Sequence, residues 1–303
     1  MDLSTRTAIL AAIKAGKRIR DNYHLLHQME NSPQVKREKL EQTWIKEKGD
    51  PRTITSRADT ESDRIIRETF LLAGNFVIFT EESGISTPEH IEPSSWKRVV
   101  VDPLDGSKNF LVGLWGLFGI SIEVEEKNSA LCSVLYNPCS EELIYAERGK
   151  GAYLLENLSF ENHREWKTPV PISIYTQARL GESRIYIGHG KANPSVLARA
   201  PLVSVITKTV EAVNYGSSVI GLISVALNRL DGLISPSLRY WDIAAARCII
   251  REAGGYAEIW SSDWKYQLTD AECAQADEKS LLSLVVAGNK SLFKEMVQLI
   301  TAT

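Results

Sequence analysis

The sequence has few cysteines and no pattern in which they could bind a metal or form a redox pair. It has 303 residues, and no two of its four cysteines (Cys132, Cys139, Cys248 and Cys273) are spaced as Cys-x-x-Cys. Sparse thiols of this kind are typical of a protein kept reduced in the cytoplasm. The five histidines show no His-Glu-x-x-His or comparable zinc spacing. Metal chemistry in this chain therefore has to rest on carboxylates.

The sequence also lacks a strong charge bias and any long apolar run. Its net charge is −3 and its lysines and arginines are scattered, so we expect no nucleic acid polymer as partner. No segment has the length of a membrane span, and residues 1–4 show no secretory signal, so we expect no membrane partner. With 44% hydrophobic and 24% charged residues, the composition predicts a soluble globular protein with an ample core.

The stretch Val99–Ser107 is the centre around which the chain is organised. Its three consecutive valines predict a buried strand, and Pro103 cannot donate to a sheet ladder, so we expect the strand to end at Asp102. Asp102 and Asp105 then lie at the end of the strand, and Gly106-Ser107 offers N–H groups at a predicted helix start, where anions bind. Mg²⁺ joins carboxylates to phosphate in this way. The alternative to a metal and phosphate site is that Asp102–Gly106 is simply a turn, since aspartate, proline and glycine are turn formers.

Acidic side chains also stand at element ends upstream of this stretch. The strand predicted over 76–79 runs directly into Glu81 and Glu82. A helix is predicted to start near Asp59, with residues 60–63 as its capping box. The alternative to a metal ligand is a charged turn at Glu81 and Glu82, and a helix-start residue at Asp59.

Asp242 gives a further candidate in the second half of the chain. It lies at the N-terminal end of a predicted helix that Gly254 would stop. Residues 156–182 are irregular and suggest a boundary between two halves of one catalytic unit: 1–155 with the main acidic site, and 156–303 with Asp242. The polar stretch 30–56 is predicted to be a loop, either a lid or simply solvated. The other predicted elements are helices over 2–29 and 217–230 and strands over 119–124, 130–136, 143–146, 151–154, 184–188 and 232–234.

Several of these motifs together carry a resemblance. Asp102–Ser107, Trp241–Ala245 and Glu252–Gly255 resemble the two signatures of the inositol monophosphatase superfamily. Glu81-Glu82-Ser83 and Asp59 are similar to its other acidic elements, in the same order along the chain. The resemblance implies a mixed α+β or α/β layered fold, the αβαβα sandwich of the inositol monophosphatase and fructose-1,6-bisphosphatase type. It also implies Mg²⁺-dependent phosphomonoester hydrolysis, lithium sensitivity and a homodimer.

The resemblance further implies two to three Mg²⁺ ions in each active site. The implied ligand sets are Glu81, Asp102 and the Leu104 carbonyl for the first ion, Asp102, Asp105 and Asp242 for the second, and Glu81 and Asp59 for a weaker third.

The chemistry of the reaction can be argued from the substrate. A phosphate monoester repels hydroxide, so catalysis has to neutralise charge and generate a nucleophile near neutral pH. We expect a water on the first Mg²⁺ to attack phosphorus in line, and the second Mg²⁺ to stabilise the leaving alkoxide. Ser107, with Asp59 and Glu81 as the other catalytic groups, is predicted to help take the proton. The N–H groups of Gly106 and Ser107 would bind phosphate oxygens. Ser107 stands where many family members have threonine, and both keep the hydroxyl.

The predicted substrate pocket departs from the inositol-specific pattern. Those members place a glutamate seven residues before the aspartate of Trp-Asp, where this chain has Ser235. Arg239, or His189 with Lys191, would add a cation suited to a second phosphate, and exposed loop residues are the alternative. We expect inositol 1-phosphate first, 3′-phosphoadenosine 5′-phosphate second and fructose 1,6-bisphosphate third. The predicted substrate-binding residues are Asp105, Gly106, Ser107, Ser218, Ser235, Arg239 and Asp242.

Three other classes fit the sequence less well. A P-loop kinase needs G-x-x-x-x-G-K-[ST], which is absent. An aspartyl-phosphate phosphatase needs Asp-x-Asp after a strand, whereas the spacing here is Asp-x-x-Asp with Pro103 after the first. A non-catalytic phosphate or metal sensor would be marked by loss of a ligand or of the Ser107 hydroxyl, and all of these are present.

Overall fold

The structure is a computed structural model that describes residues 1–28, 45–47, 54–88, 97–156, 158, 168–190 and 196–302. Within these ranges the helices are α1 (Leu3–Gln28), α2 (Arg57–Ala73), α3 (Ser107–Val112), α4 (Val196–Ile206), α5 (Ser218–Ala226), α6 (Tyr240–Glu252), α7 (Asp270–Cys273) and α8 (Lys290–Thr301). The strands are β1 (Ile45–Glu47), β2 (Ile54–Ser56), β3 (Phe76–Thr80), β4 (Gly84–Ser86), β5 (Lys97–Asp105), β6 (Gly119–Glu126), β7 (Ser129–Asn137), β8 (Glu142–Glu147), β9 (Gly151–Leu155), β10 (Val170–Ile172), β11 (Arg184–Ile187), β12 (Glu211–Val213), β13 (Gly232–Leu238), β14 (Tyr256–Ser261) and β15 (Leu282–Ala287).

Two large sheets form the frame of the molecule. The first has eight strands in the order β10-β9-β8-β7-β6-β5-β3-β4, and the second has five in the order β12-β11-β13-β15-β14. In the first sheet β3 and β5 run parallel, with Thr80 opposite Val101. The carboxyl ends of these two strands therefore lie side by side, which is where the acidic residues follow.

Helices cover both sheets and fill the space between them. Helices α1 and α2 pack on the outer face of the eight-stranded sheet in one apolar core. Helices α5 and α6 lie between the sheets, in a core that both sheets share. Helices α4 and α8 cover the outer face of the five-stranded sheet. The order helix, sheet, helix, sheet, helix confirms the predicted αβαβα sandwich. None of the described helices is long and apolar enough to cross a membrane.

Strand β5 is longer than its sequence predicts. It does not end at Asp102 but continues through Pro103 to Asp105, with a shift in its register against β6 between these two aspartates. The parallel ladder with β3 reaches only Val101, so Pro103 needs no donor on that side. The irregular ladder accommodates the proline that was expected to stop the strand.

Helix α2 begins at Arg57, two residues before the predicted start, and its capping box lies four residues before the predicted one. Ser56 is its N-cap, and its side chain accepts hydrogen bonds from the N–H groups of Ala58 and Asp59. The Asp59 carboxylate in turn accepts from the N–H of Ser56, so the capping box is Ser56 with Asp59. Thr60 to Asp63, which match the same pattern, lie inside the helix.

Two predicted irregular stretches contain short elements. Within 30–56, residues 45–47 and 54–56 pair as the antiparallel strands β1 and β2. The rest of that stretch, with the lid hypothesis, lies outside the described residues. Within 156–182, the strand β10 adds to the edge of the eight-stranded sheet, and residues 180–182 form a 3-10 turn. The paired strands predicted over 119–136 and over 143–154 are confirmed.

Candidate metal and phosphate site

Three carboxylates from three separate elements meet at one point. Glu81 follows β3 directly, Asp102 lies in β5 and Asp242 lies in the first turn of α6. One oxygen of each lies within 4.8 Å of the others. Asp102 and Asp242 are fully buried, whereas Glu81 is half-buried. Two ionised carboxylates at this separation repel by about 3 kcal/mol at an effective dielectric constant of about 20, so the cluster calls for a cation.

The backbone fixes these three side chains in place. The Glu81 N–H donates to the Val101 carbonyl at 3.2 Å, which continues the parallel pairing one residue beyond β3. Asp242 was predicted near a helix cap, but the N-cap of α6 is Arg239. Asp242 is the third residue of the helix, and its Oδ2 accepts the Arg239 N–H at 2.9 Å. The first turn of a helix favours a carboxylate there.

Beside this cluster, a serine hydroxyl lies against a buried carboxylate. Ser107 Oγ is 2.5 Å from Oδ1 of Asp59 and 2.8 Å from the Leu104 carbonyl oxygen. The Leu104 N–H in turn donates to Asp102 Oδ1 at 3.1 Å. A chain of contacts therefore links Asp59, Ser107 and Leu104 to Asp102.

Gly106 makes the tight turn that positions Ser107 possible. Its φ is 88°, in the left-handed region, and it is the N-cap of α3. A Cβ at this position would lie 2.8 Å from the Leu117 carbonyl oxygen, which is too close. Glycine is therefore required at this position.

The environment of Asp59 raises its affinity for a proton. Burial raises the pKa of Asp59 to about 7, and the nearby charge of Glu82 adds to the effect, while hydrogen bonds from Ser107 and Ser56 oppose it. A hydroxyl has one proton to donate, so Ser107 can donate either to Asp59 or to Leu104 at one time. When Asp59 is ionised and accepts that proton, the lone pairs of Ser107 Oγ are available to accept another. The pair can thus pass a proton from a third group to Asp59 near neutral pH.

Asp105 is placed differently from the three clustered carboxylates. Its Oδ2 accepts hydrogen bonds from Ser217 Oγ at 2.7 Å and from the Val219 N–H at 2.8 Å, at the start of α5. It is buried but does not belong to the cluster of Glu81, Asp102 and Asp242 among the described residues. Its predicted role as a ligand of the second ion therefore stays a prediction.

A cleft of about 140 Å³ opens beside Asp105. It includes Ser218 and Ser235, as the sequence predicted for the substrate pocket. Arg239 is not among the described residues of its wall, because its guanidinium donates to the Ser280 carbonyl at 3.5 Å. The residues that line the cleft are Asp105, Tyr186, Gly188, His189, Gly190, Asn214, Gly216, Ser218, Ser235 and Leu238.

Some residues of the cleft were not predicted. Tyr186 and Asn214 had no motif to mark them, although Tyr186 lies near the carboxyl end of the predicted strand 184–188, and ligands bind beyond such strand ends in open α/β sheets. His189 lines the cleft as proposed, whereas Lys191 lies outside the described residues.

Ser235 is a buried polar group directed at this cleft. Its side chain is fully buried, and its Oγ has no hydrogen-bond partner among the described residues. A Cβ on Gly188 would lie 1.9 Å from this oxygen, so any larger residue would displace Ser235. A buried hydroxyl without a protein partner gains from a ligand that hydrogen-bonds to it.

A larger cavity of about 420 Å³ lies elsewhere, between α1 and α2. Charges of both signs line it, and it contains none of the predicted site residues. The size of this cavity does not by itself indicate a binding or catalytic function, so the smaller cleft beside the carboxylates is the better candidate site.

The donor atoms at the carboxylate cluster fit Mg²⁺. Glu81, Asp102 and Asp242 offer hard oxygen ligands within reach of one another, and Mg²⁺ binds through a few carboxylates together with phosphate oxygens and water. The described residues of the cluster contain no thiol or imidazole, the ligands that zinc or copper would favour.

Comparison with known proteins shows the family of the chain. Residues 2–296 match the Inositol monophosphatase family. The chain is 32% identical to the inositol-1-monophosphatase of Rhizobium meliloti over 252 residues, which are 82% of this chain and 84% of that protein. It is 31% identical to Nus factor SuhB of Haemophilus influenzae over 250 residues, 82% of each chain. The crystal structure of the extragenic suppressor protein suhB from Bartonella henselae shares the fold, with a TM-score of 0.73, 25% identity and 97% of each chain covered.

These findings define the protein as a phosphomonoester hydrolase. The chain belongs to the inositol monophosphatase family. The resemblance inferred from Asp102–Ser107 and Trp241–Ala245 is therefore confirmed.

Proposed function

We propose that the protein hydrolyses the phosphate monoester of a small polyol, inositol 1-phosphate before others, in a reaction that requires Mg²⁺. The observation that carries this proposal is the cluster of Glu81, Asp102 and Asp242 beside the Ser107–Asp59 pair. The three carboxylates can hold a cation against a phosphate, and the Ser107–Asp59 pair can take a proton from the attacking water.

The residues of the site divide into three roles. Glu81, Asp102 and Asp242 would hold Mg²⁺, and Asp105, the Leu104 carbonyl and Asp59 complete the proposed ligand sets for two to three ions. Bound Mg²⁺ would neutralise the phosphate charge, lower the pKa of a water molecule and stabilise the leaving oxygen.

The other groups act on the proton and on the phosphate. Ser107 accepts the proton of the attacking water on Oγ while it donates its own to Asp59. The N–H groups of Gly106 and Ser107, at the start of α3, orient the phosphate oxygens.

The size and polarity of the cleft support a small alcohol as the leaving group. About 140 Å³ lined by Ser218, Ser235 and Asn214 suits a compact ring with several hydroxyls, whereas pockets for drug-sized ligands span about 300–1,000 Å³. A second phosphate would find His189 in the wall of the cleft, but the Arg239 guanidinium faces Ser280. We therefore rank the bisphosphates, 3′-phosphoadenosine 5′-phosphate and fructose 1,6-bisphosphate, second and third.

A substrate panel tests the proposal. Phosphate release is measured from inositol 1-phosphate, 3′-phosphoadenosine 5′-phosphate, fructose 1,6-bisphosphate and an aryl phosphate, each with Mg²⁺, with EDTA and with added Li⁺. We expect Mg²⁺-dependent turnover with the highest kcat/KM for inositol 1-phosphate, and inhibition by Li⁺. A preference for either bisphosphate would overturn the choice of substrate, and Mg²⁺ binding without any release would favour the non-catalytic sensor.

We also propose that the protein is cytoplasmic and forms a homodimer. All four cysteines are free, which suits the reducing cytoplasm. The resemblance implies a homodimer in which each chain is one catalytic unit of two halves, and sedimentation at micromolar concentration measures this state directly.

A further inference from the structure

The side chain of Arg98, on the strand that carries Asp102, is held on several sides. Its guanidinium lies 4.7 Å from the ring centre of Phe79 and 5.7 Å from that of Tyr240. The same group donates to the Ala274 carbonyl and, at 2.9 Å, to the Ala276 carbonyl. A planar guanidinium with stacked faces and bonded edges has little freedom to move, and lysine does not reproduce this arrangement.

Glu125 completes the arrangement from the neighbouring strand. It lies directly opposite Arg98 in the antiparallel ladder of β5 and β6. Its Oε2 is 3.5 Å from Arg98 Nη1, and its Oε1 accepts the Tyr240 hydroxyl at 2.5 Å. Glu125 and Tyr240 are buried, so this bond is shielded from water. We call Phe79, Arg98, Glu125 and Tyr240 the Arg98 platform.

Three members of the Arg98 platform stand on the same elements as the three carboxylates. The spacings are two residues from Phe79 to Glu81, four from Arg98 to Asp102 and two from Tyr240 to Asp242. Even spacing along a strand keeps side chains on one face, so Arg98 and Asp102 point to the same side of β5, towards α6. Phe79 also meets the Trp241 ring edge to face at 5.2 Å. The platform thus joins β3, β5 and α6, the three elements whose carboxylates meet.

We propose that Arg98, with Glu125 and Tyr240, is a positioning residue for the carboxylate cluster and sets its affinity for Mg²⁺. The inference rests on the proposed function of the cluster as a metal site. Three like charges within 4.8 Å push their elements apart until a cation binds. The Arg98 platform holds the elements together against that repulsion, so that Mg²⁺ meets a site already formed. Groups that hydrogen-bond directly to metal ligands change metal affinity or activity by about 10–100-fold when they are replaced, and we expect the platform, which acts through the elements that carry the ligands, to lie at the lower end of that range.

Calorimetric titration of Mg²⁺ into the purified protein tests this inference. Arg98→Met keeps the bulk of the side chain but loses its charge and hydrogen bonds, and we expect the dissociation constant for Mg²⁺ to rise about 10-fold or more. Tyr240→Phe removes only the hydroxyl bonded to Glu125, and we expect a rise of about fivefold, the effect of one hydrogen bond. Arg98→Lys keeps the charge and should recover part of the loss. Arg229→Met, which breaks an ion pair with Glu142 elsewhere on the protein, should bind Mg²⁺ like the wild type.

Kinetics separate positioning from general destabilisation. We expect the Mg²⁺ concentration for half-maximal activity to rise in Arg98→Met and Tyr240→Phe, while kcat at saturating Mg²⁺ returns to within about threefold of wild type. A purely structural role would lower the melting temperature and leave the Mg²⁺ dissociation constant unchanged.

The outcomes distinguish this inference from the proposed function. Suppose that the wild type binds Mg²⁺ and that Arg98→Met and Tyr240→Phe bind it equally tightly. The platform then has no positioning role, and the proposed function stands. If the wild type itself binds no Mg²⁺, both fall. Should Arg98→Met fail to fold, Tyr240→Phe decides alone, because it removes a single buried hydroxyl.

Discussion

Ser107 Oγ lies 2.5 Å from Asp59 Oδ1, although 48 residues separate them along the chain. Asp59 is held in the first turn of α2 by its capping bond to Ser56, and Ser107 begins α3 after the turn at Gly106. Each residue is fixed by its own helix start, so the contact between them does not depend on flexible side chains. Two ordinary local features of the sequence thereby build one proton-accepting pair.

Replacing Ser107 tests this pair directly. Ser107→Ala removes the hydroxyl that accepts the proton, and we expect kcat to fall by about 100-fold to 10,000-fold with Mg²⁺ affinity nearly unchanged. Ser107→Thr keeps the hydroxyl and should retain most of the activity. Steady-state kinetics and calorimetry measure the two effects, and an alanine variant with wild-type kcat would remove Ser107 from the reaction.

Replacing Asp102 tests the carboxylate cluster. Asp102→Asn removes one of three like charges, so we expect kcat to fall at least about 100-fold and Mg²⁺ to bind more weakly. Without metal, relief of repulsion should keep the melting temperature equal to or above that of wild type, whereas the rise on adding Mg²⁺ should disappear. The control Asp263→Asn, at a half-buried carboxylate paired with Lys265, should keep that rise. Substantial Mg²⁺-dependent turnover by Asp102→Asn would contradict the assignment.

Replacing Ser235 tests the cleft. Its Oγ has no hydrogen-bond partner among the described residues, so Ser235→Ala should leave the free energy of unfolding unchanged or raise it. If the hydroxyl binds the alcohol of the substrate, KM should rise about fivefold to tenfold while kcat stays constant. The matched control Ser133→Ala loses a buried bond to Glu123 and should lower stability without changing KM. An unchanged KM in Ser235→Ala would place the substrate elsewhere.

The contact between α1 and α2 predicts a dependence of stability on pH. Hydrogen bonds from Arg18, Asn22 and Arg57 lower the pKa of Glu61 to about 2 against the opposing effect of its partial burial. Because the folded pKa lies below the unfolded value, the ionised group stabilises the fold above about pH 4.5, and this contribution is lost as the pH falls towards 2. The pair is partly exposed, so we expect about 1 kcal/mol.

Urea unfolding of wild type and Glu61→Gln measures this contribution. The difference in unfolding free energy should be largest near pH 6 and should shrink steadily below pH 4.5. A difference that stays constant from pH 6 to pH 3 would show that Glu61 acts by packing and not by charge.

Much of the fold and of the acidic site could be predicted from sequence because local signals carried them. Alternating apolar residues marked β6 to β9, and the motifs around Asp102 and Asp242 marked the cluster. The course of β5 beyond Pro103 could not be predicted, because it depends on where the neighbouring β3 ends. The start of α2 was placed too late because Thr60 to Asp63 offer a second capping pattern inside the same helix.

The Arg98 platform left no signal in the sequence. Glu123 and Glu125 alternate with Ile122 and Val124, a pattern typical of a strand with one face in water. In the structure α6 covers that face, so both glutamates are buried. Their burial follows from an element more than 100 residues later in the chain, and periodicity within β6 cannot reveal it. The three clustered carboxylates could therefore be predicted from the sequence, whereas the packing of Arg98 and Glu125 against α6 could not.

The distance along the chain between Glu81 and Asp242 has a consequence for how activity arises during synthesis. The strand β13 that leads into α6 pairs with β15, which ends at Ala287. A chain that stops before that strand contains all the strands of the eight-stranded sheet, yet it lacks the partner of the strand that leads to Asp242. Catalysis should therefore be absent from any product that stops before Ala287, because α6 then follows a strand without its partner.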